Sequence, residues 1–427
     1  MAILSDHPLR YVLVNELHAR PSPALEAPCH VVYLVVKDPV AAANRDRALD
    51  RSHLLALLDR HGSAHPQPDA THFSASLGKH EFRWESHTEF VTYTSFGRGL
   101  SDRPFDPAEA DLFTKDWLGT APGTRLASVL IRVERMPKSD AEVLSKLENW
   151  FVAESLAVSR VVDGEAIVAG DFRIDSAGHM RFAVFVKPDI GARRIGRIVQ
   201  RLCEVETYRA ISMLGLIQSR NLSARLNALD PQLSRMVSGL DQDAERPEAA
   251  LHELLMIAAE LESLAVKYSF RFGATGAYEA IVNQRIEIMR EVPVAGRQTF
   301  GEFMMRRYEP AMRTVKSAEV RLSSMAERAT RAAELLRTRV DVERSAQNQK
   351  LLESMDQRAD VQLRLQRTVE GLSTVAISYY AVNLAAYALY PLAEKRFGLS
   401  HGMTLAVLTP IAVSLVWLMV RRIRKRI

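Results

Sequence analysis

Two uncharged apolar stretches near the carboxyl end constrain this chain more than any other feature. Residues 371–393 and 398–420 each run 23 positions without Asp, Glu, Lys or Arg. A bilayer core about 30 Å thick is crossed by about 20 helical residues, and uncharged runs of that length are unusual in water-soluble helices. The flanks suit an interface. Tyr379, Tyr380, Tyr387 and Tyr390 decorate the first run, and Trp417 with Arg421, Arg422, Arg424, Lys425 and Arg426 closes the second. Aromatic and basic anchors of this kind sit at membrane surfaces. The expectation is a two-helix transmembrane hairpin in the lipid bilayer.

Orientation follows from basic residues near the ends of the runs. The tail has five, and Arg358, Arg364 and Arg367 precede the first run, whereas the connector Glu394-Lys395-Arg396-Phe397 has two beside one acid. Both termini are expected in the cytoplasm. The opening residues Met1 to Pro8 show neither the basic start nor the apolar core of a signal peptide, so about 370 residues are expected inside. Net charge places no basic stripe on that part: 56 Lys and Arg against 51 Asp and Glu leaves +5, which the five basic residues of the tail account for. Nucleic acid is not an expected partner. Cys29 and Cys203 are too few and too far apart for a disulfide framework.

The cytoplasmic part divides by pattern. Residues 1–190 mix signals: a short leading helix from Asp6 to Pro21, strand-like runs at 31–36, 82–84, 89–96, 128–133, 166–174 and 180–186, and helices near 41–59 and 142–155. This reads as an α+β cytoplasmic domain. Residues 191–310 read as a helical region with a break at Asp230-Pro231, helices over 247–266 and 278–291, and a bend at Pro310. Residues 311–370 form a long stalk helix. Transmembrane helices 371–393 and 398–420 and a basic cytoplasmic tail, 421–427, complete the expected order. The proline-free stretch before Pro391 would extend about 120 Å as a helix. Leu322, Met325, Ala329, Ala332 and Leu336 alternate at three and four, a coiled-coil seam or an amphipathic face packed on its own domain. A homo-oligomer is expected from the first alternative.

Within the first span Gly371, Thr374, Ser378, Ala381, Ala385 and Ala388 make one stripe of small residues. Such stripes let helices approach closely, and around a symmetry axis the same stripe would line a pore with a mixed-charge mouth. Asn383, Glu394 and His401 could then touch an ion. Nine of the twelve histidines lie in the first 87 residues, but none shows the spaced pair with its glutamate of a helical zinc site: His61 and His65 stand four apart, yet Gly62-Ser63-Ala64 between them and Pro66 after them read as a loop. No metal or cofactor is expected, and the chain lacks a Gly-rich phosphate loop and a Gly-x-Ser-x-Gly elbow.

Two polar motifs could carry chemistry. Asn15-Glu16-Leu17-His18-Ala19-Arg20-Pro21 gathers Glu16, His18 and Arg20 at a helix end. In Arg83-Trp84-Glu85-Ser86-His87-Thr88-Glu89-Phe90, strand alternation would place Arg83, Glu85, His87 and Glu89 on one face. Imidazole beside carboxylate can act as a base and guanidinium can bind an anion. The same residues serve equally as an ion-paired network fastening the leading helix to the sheet.

At these motifs, and from Leu351 to Tyr380, the chain resembles a family of bacterial membrane-anchored proteins of unknown function marked by Asn-Glu-Leu-His-Ala-Arg-Pro. The resemblance covers nearly the whole chain. It implies two carboxyl-terminal spans in a proteobacterial inner membrane and brings no reaction with it. The layout is remotely similar to CorA-type channels, but their Gly-Met-Asn signature is missing: the outer end of the first span reads Tyr387-Ala388-Leu389-Tyr390-Pro391. The leading expectation is a non-enzymatic oligomeric scaffold or regulator. The alternatives are an oligomeric ion channel or transporter and a membrane-tethered enzyme using Glu16, His18, Arg20, Arg83, Glu85 and His87.

Overall fold

A computed structural model describes residues 4–11, 13–14, 22–40, 44–239, 247–397 and 400–424. The leading segment begins as expected: Asp6 accepts a bond from Arg10, and Leu13 N–H bonds to Leu9 O. Its motif, residues 15–21 with Glu16, His18 and Arg20, lies outside the described residues, as do Lys425 and Arg426. The chain divides into two compact units, residues 1–242 with 252–332, and residues 243–251 with 333–427.

The first unit is built on a nine-stranded sheet. Its strands are β1 (Cys29–Lys37), β2 (His72–Leu77), β3 (His80–Ser86), β4 (Phe90–Arg98), β5 (Thr124–Arg135), β6 (Ala157–Val161), β7 (Ala166–Ile174), β8 (Met180–Val186) and β9 (Val292–Pro293). Their order is β2-β3-β4-β1-β5-β8-β7-β6-β9. Neighbours pair antiparallel except β5 and β8, which run parallel. A strand, a helix and a three-stranded meander thus occur twice, and the two sets meet at the β1–β5 pair. All nine residues of β1 are buried, because helices cover both faces of the sheet.

One face carries Val32, Leu34, Phe82, Trp84, Tyr93 and Phe185. It shares a core with Leu54, Leu57 and Leu58 of α1 (Arg47–Arg60), Trp117 of α2 (Lys115–Gly119), and Val143 and Leu147 of α3 (Asp140–Trp150). On the other face α4 (Ala192–Gly239) lies along β5 and β8, and Tyr33 Oη bonds to Thr207 Oγ1 of α4 at 2.9 Å. Gly196 lets α4 approach the chain before β1, since a Cβ there would stand 1.7 Å from the Pro23 carbonyl oxygen.

The long helices override the expected breaks. Helix α4 continues through Pro231, with Leu226, Leu229 and Leu233 buried on either side of it. Arg321 and Arg328 both hold Asp230, at 3.0 Å. Packing thereby offsets the one backbone bond that proline removes. Helix α5 (Pro247–Met289) is continuous where two pieces were expected. The intervening Tyr268, Phe272 and Thr275 are buried, and a Cβ on Gly215 of α4 would meet Thr275 Oγ1 at 2.3 Å. After α6 (Phe300–Arg307), whose Thr299 and Glu302 form a capping box, the chain turns at Tyr308. Helix α7 (Glu309–Phe397) follows. Pro310 thus sits in a first turn, where its missing N–H costs no helical bond, and the bend lies ahead of it. Leu322, Met325, Ala329 and Ala332 are buried within a single chain, so this seam is an amphipathic face packed on its own unit.

In the second unit, α7 ends and α8 (His401–Arg424) follows. Each is long and apolar enough to cross a membrane, by length and composition. A narrow line on each is covered: Ser378, Val382 and Ala386 on α7, and Thr404 and Val416 on α8. Of the small-residue stripe, Thr374, Ala381 and Ala385 are half-buried beside that line, and Gly371 and Ala388 are exposed. The Arg421 guanidinium stands 5.0 Å from the centre of the Trp417 ring, Arg422 is exposed, and Arg424 ends the helix.

Candidate functional site

Strand alternation sends Phe82 and Trp84 of β3 into the first core and Arg83 and Glu85 to the opposite face. The strand ends at Ser86, so His87 and Glu89 stand in the connection to β4, not on a continuous strand face. Space still gathers the motif. His87 Nε2 lies 3.7 Å from Glu85 Oε2, and burial lowers the Arg83 pKa against the opposing pull of the Glu85 charge. The His87 ring stacks on Phe90 at 4.3 Å.

Glu89 turns inward to α5, where it is 1 % exposed. Its carboxylate accepts bonds from the Arg271 guanidinium and, at 2.9 Å, from the Tyr278 hydroxyl. Lys37 Nζ stands 4.0 Å away. Burial, then the neighbouring Glu89 charge, raises the Tyr278 pKa, which keeps the phenol a donor. Burial first, and Arg271 next, lowers that of Lys37. From the other side of the hairpin Arg45 donates to Ser86 Oγ and to the carbonyls of His87 and Phe90, and it pairs with Asp50. The network fastens α5 to the sheet; the leading-helix motif expected to join it, residues 15–21, lies outside the described residues.

A second polar group escaped sequence reasoning. Leu34 pairs with Ser128, and Val129 pairs with Met180 across the parallel β5–β8 contact, so register brings Ser128 beside His179. Ser128 Oγ and His179 Nδ1 are 2.7 Å apart. Asp175 accepts from the backbone N–H groups of Ala177 and His179 at 3.0 and 2.8 Å. The turn needs Gly178, whose φ is +88° and beside which Arg125 fills the space of a Cβ. Burial lowers the His179 pKa more than the Asp175 charge raises it, leaving a neutral imidazole. Ser128, His179 and Arg125 line a cavity of about 610 Å³ together with Asp111 and Lys115, its apolar walls coming from Val32, Leu34, Phe113 and Leu118. An apolar recess with a few convergent polar groups is the ordinary form of a small-molecule site. The Asp175-Ser176-Ala177-Gly178-His179 turn was visible in sequence; its partner on β5 was not.

His53 is a fully packed imidazole, bonded to Tyr93 Oη at 2.9 Å and to the Trp117 carbonyl at 3.0 Å. The carbonyl only accepts, so Nε2 carries the proton and Nδ1 accepts from Tyr93 in the neutral ring. Burial lowers its pKa below the ordinary value. The unfolded chain therefore binds more protons below about pH 6.5, and stability falls as pH drops through that value toward the folded pKa. Replacing His53 with Gln is expected to reduce this acid-side loss, read as thermal midpoints at about pH 7.5 and 5.5. A steeper loss in the variant would contradict the assignment. Among the described residues, no group of three or more His, Cys, Asp or Glu side chains is arranged to hold a metal.

The fold and these sites define a chain with an α+β, helix-covered sheet domain followed by long helices, the last two apolar enough for a membrane. A sequence profile described as a protein of unknown function, DUF3422, matches residues 5–427, and the chain belongs to that family. A comparison with curated proteins finds no match.

Proposed function

We propose that the chain is a scaffold or regulator of the bacterial inner membrane, non-enzymatic and homo-oligomeric, whose α7 and α8 cross the bilayer as a hairpin with both termini in the cytoplasm. One observation carries the anchoring. Only 17 % and 6 % of the most apolar window of each helix is buried by the chain's own atoms, whereas a core helix of a soluble protein would be covered. Lipid supplies the missing contact. The covered lines through Ser378 and Thr404 support helix packing as the role of the small residues, in preference to a pore lining. The basic tail against the sparser connector supports the orientation.

The oligomer rests on the stalk. Leu351, Leu352, Met355, Val361, Leu363 and Leu365 are all exposed in a single chain, and a second copy would cover them. The cavity beside His179 gives the cytoplasmic domain a place to receive a small molecule, as regulation requires. Purified protein in mild detergent is expected to run as an oligomer and, in liposomes, to conduct no ions above the level of empty vesicles. A monomer would remove the scaffold reading, and flux altered by Ala381→Trp would replace it with a channel.

A further inference from the structure

Helix α4 opens against the usual electrostatic preference. Acidic residues favour a helix amino terminus, where the backbone dipole is positive. The first turn of α4 has none; Arg193, Arg194, Arg197 and Arg201 come before its first acid, Glu204. Arg194, Arg197 and Arg201 are spaced at three and four, on one face of the helix. With Arg290 at the end of α5 they line a cavity of about 340 Å³ whose remaining wall is apolar, from Val162, Ile198 and Ile288.

The four arginines differ in their partners. Arg194 is paired with Glu165, and Arg290 with Asp163 at 2.6 Å. Arg197 and Arg201 form no hydrogen bond or ion pair among the described residues. Burial and then the like charges of Arg197 and Arg285 lower the Arg201 pKa, yet a guanidinium stays charged in proteins. Two guanidiniums with no direct ion pair therefore face one recess, Arg197 exposed and Arg201 half-buried, the latter drawn by the Glu204 charge but not in contact with it, and two planar forks there match the oxygens of a phosphate group.

We propose that this arginine-lined cavity binds a small phosphorylated anion, with a phosphomonoester or pyrophosphate held by Arg197 and Arg201 and the organic part resting on Val162, Ile198 and Ile288. The paired Arg194 and Arg290 close the rim. The ligand chemistry is shared by free phosphorylated metabolites and by the headgroup of phosphatidic acid. Titration of full-length protein in phosphatidylcholine nanodiscs with inorganic pyrophosphate tests it. Saturable binding is expected, weakened at least about tenfold in Arg197→Ala/Arg201→Ala, as loss of two charge-assisted contacts implies. The thermal midpoint should hold, because neither side chain pairs within the fold. Repeating the titration in nanodiscs containing phosphatidic acid separates the sources: weakened pyrophosphate binding marks lipid in the cavity, and unchanged binding marks a soluble ligand. No binding in either lipid, or binding that the double variant retains, overturns the proposal.

Discussion

Glu89→Ala is expected to destabilise the sheet domain by about 3–5 kcal/mol, the cost of removing one partner from a buried ion pair. Arg271, largely buried, would keep its charge without the carboxylate it faces, Lys37 would lose the Glu89 charge 4.0 Å away, and the Tyr278 hydroxyl would lose its acceptor. The cost comes from orphaned groups and not from the pair itself, so Glu89→Leu/Arg271→Met should recover a good part of it. Thermal unfolding in mild detergent reads both variants. A Glu89→Ala midpoint within a degree or two of wild type would mean that α5 is fastened elsewhere.

Trp117→Ala is expected to cost as much for a different reason. The indole is fully buried, stacks on His53 at 4.0 Å and on Phe113 at 5.6 Å, and meets Tyr93 edge-on at 5.0 Å. Its Nε1 donates to the His53 carbonyl at 2.9 Å. Truncation leaves a cavity that close-packed neighbours cannot fill, about 3–5 kcal/mol. It also strips the stacked ring from the His53 imidazole, although the backbone carbonyl that fixes its tautomer stays. The midpoint should drop by on the order of 10 °C for a unit of this size. A drop of under about 2 °C would place the core of this face away from α2.

Six of the nine strands were legible because their residues are β-branched or aromatic and buried. β2, His72–Leu77, was not: it alternates half-buried apolar with exposed polar residues at the sheet edge. β6 is short and β9 has two residues, too few for any periodicity. In the helical region, proline and glycine were read as punctuation. Buried Leu226, Leu229 and Leu233 on α4, and the close approach of Gly215 to Thr275, show tertiary contacts overriding local preference.

The sites divide in the same way. Alternation placed Arg83 and Glu85 on one face, but the hairpin turned before His87, and the partners of Glu89 lie 182 and 189 residues away. Ser128 and His179 meet only through strand register, which no local pattern encodes. Arg197 and Arg201 look in sequence like an ordinary solvated helix face. Only the fold shows that Arg290 closes a recess over them while Glu165 and Asp163 are already engaged.

Alkaline carbonate extraction of cell membranes tests most directly the proposal that residues 371–420 lie in lipid. Full-length protein should stay in the pellet, and a chain ending at Glu370 should pass to the supernatant. Full-length protein released by carbonate, or a truncated chain that stays behind, would show that the apolar helices are covered by protein instead of bilayer.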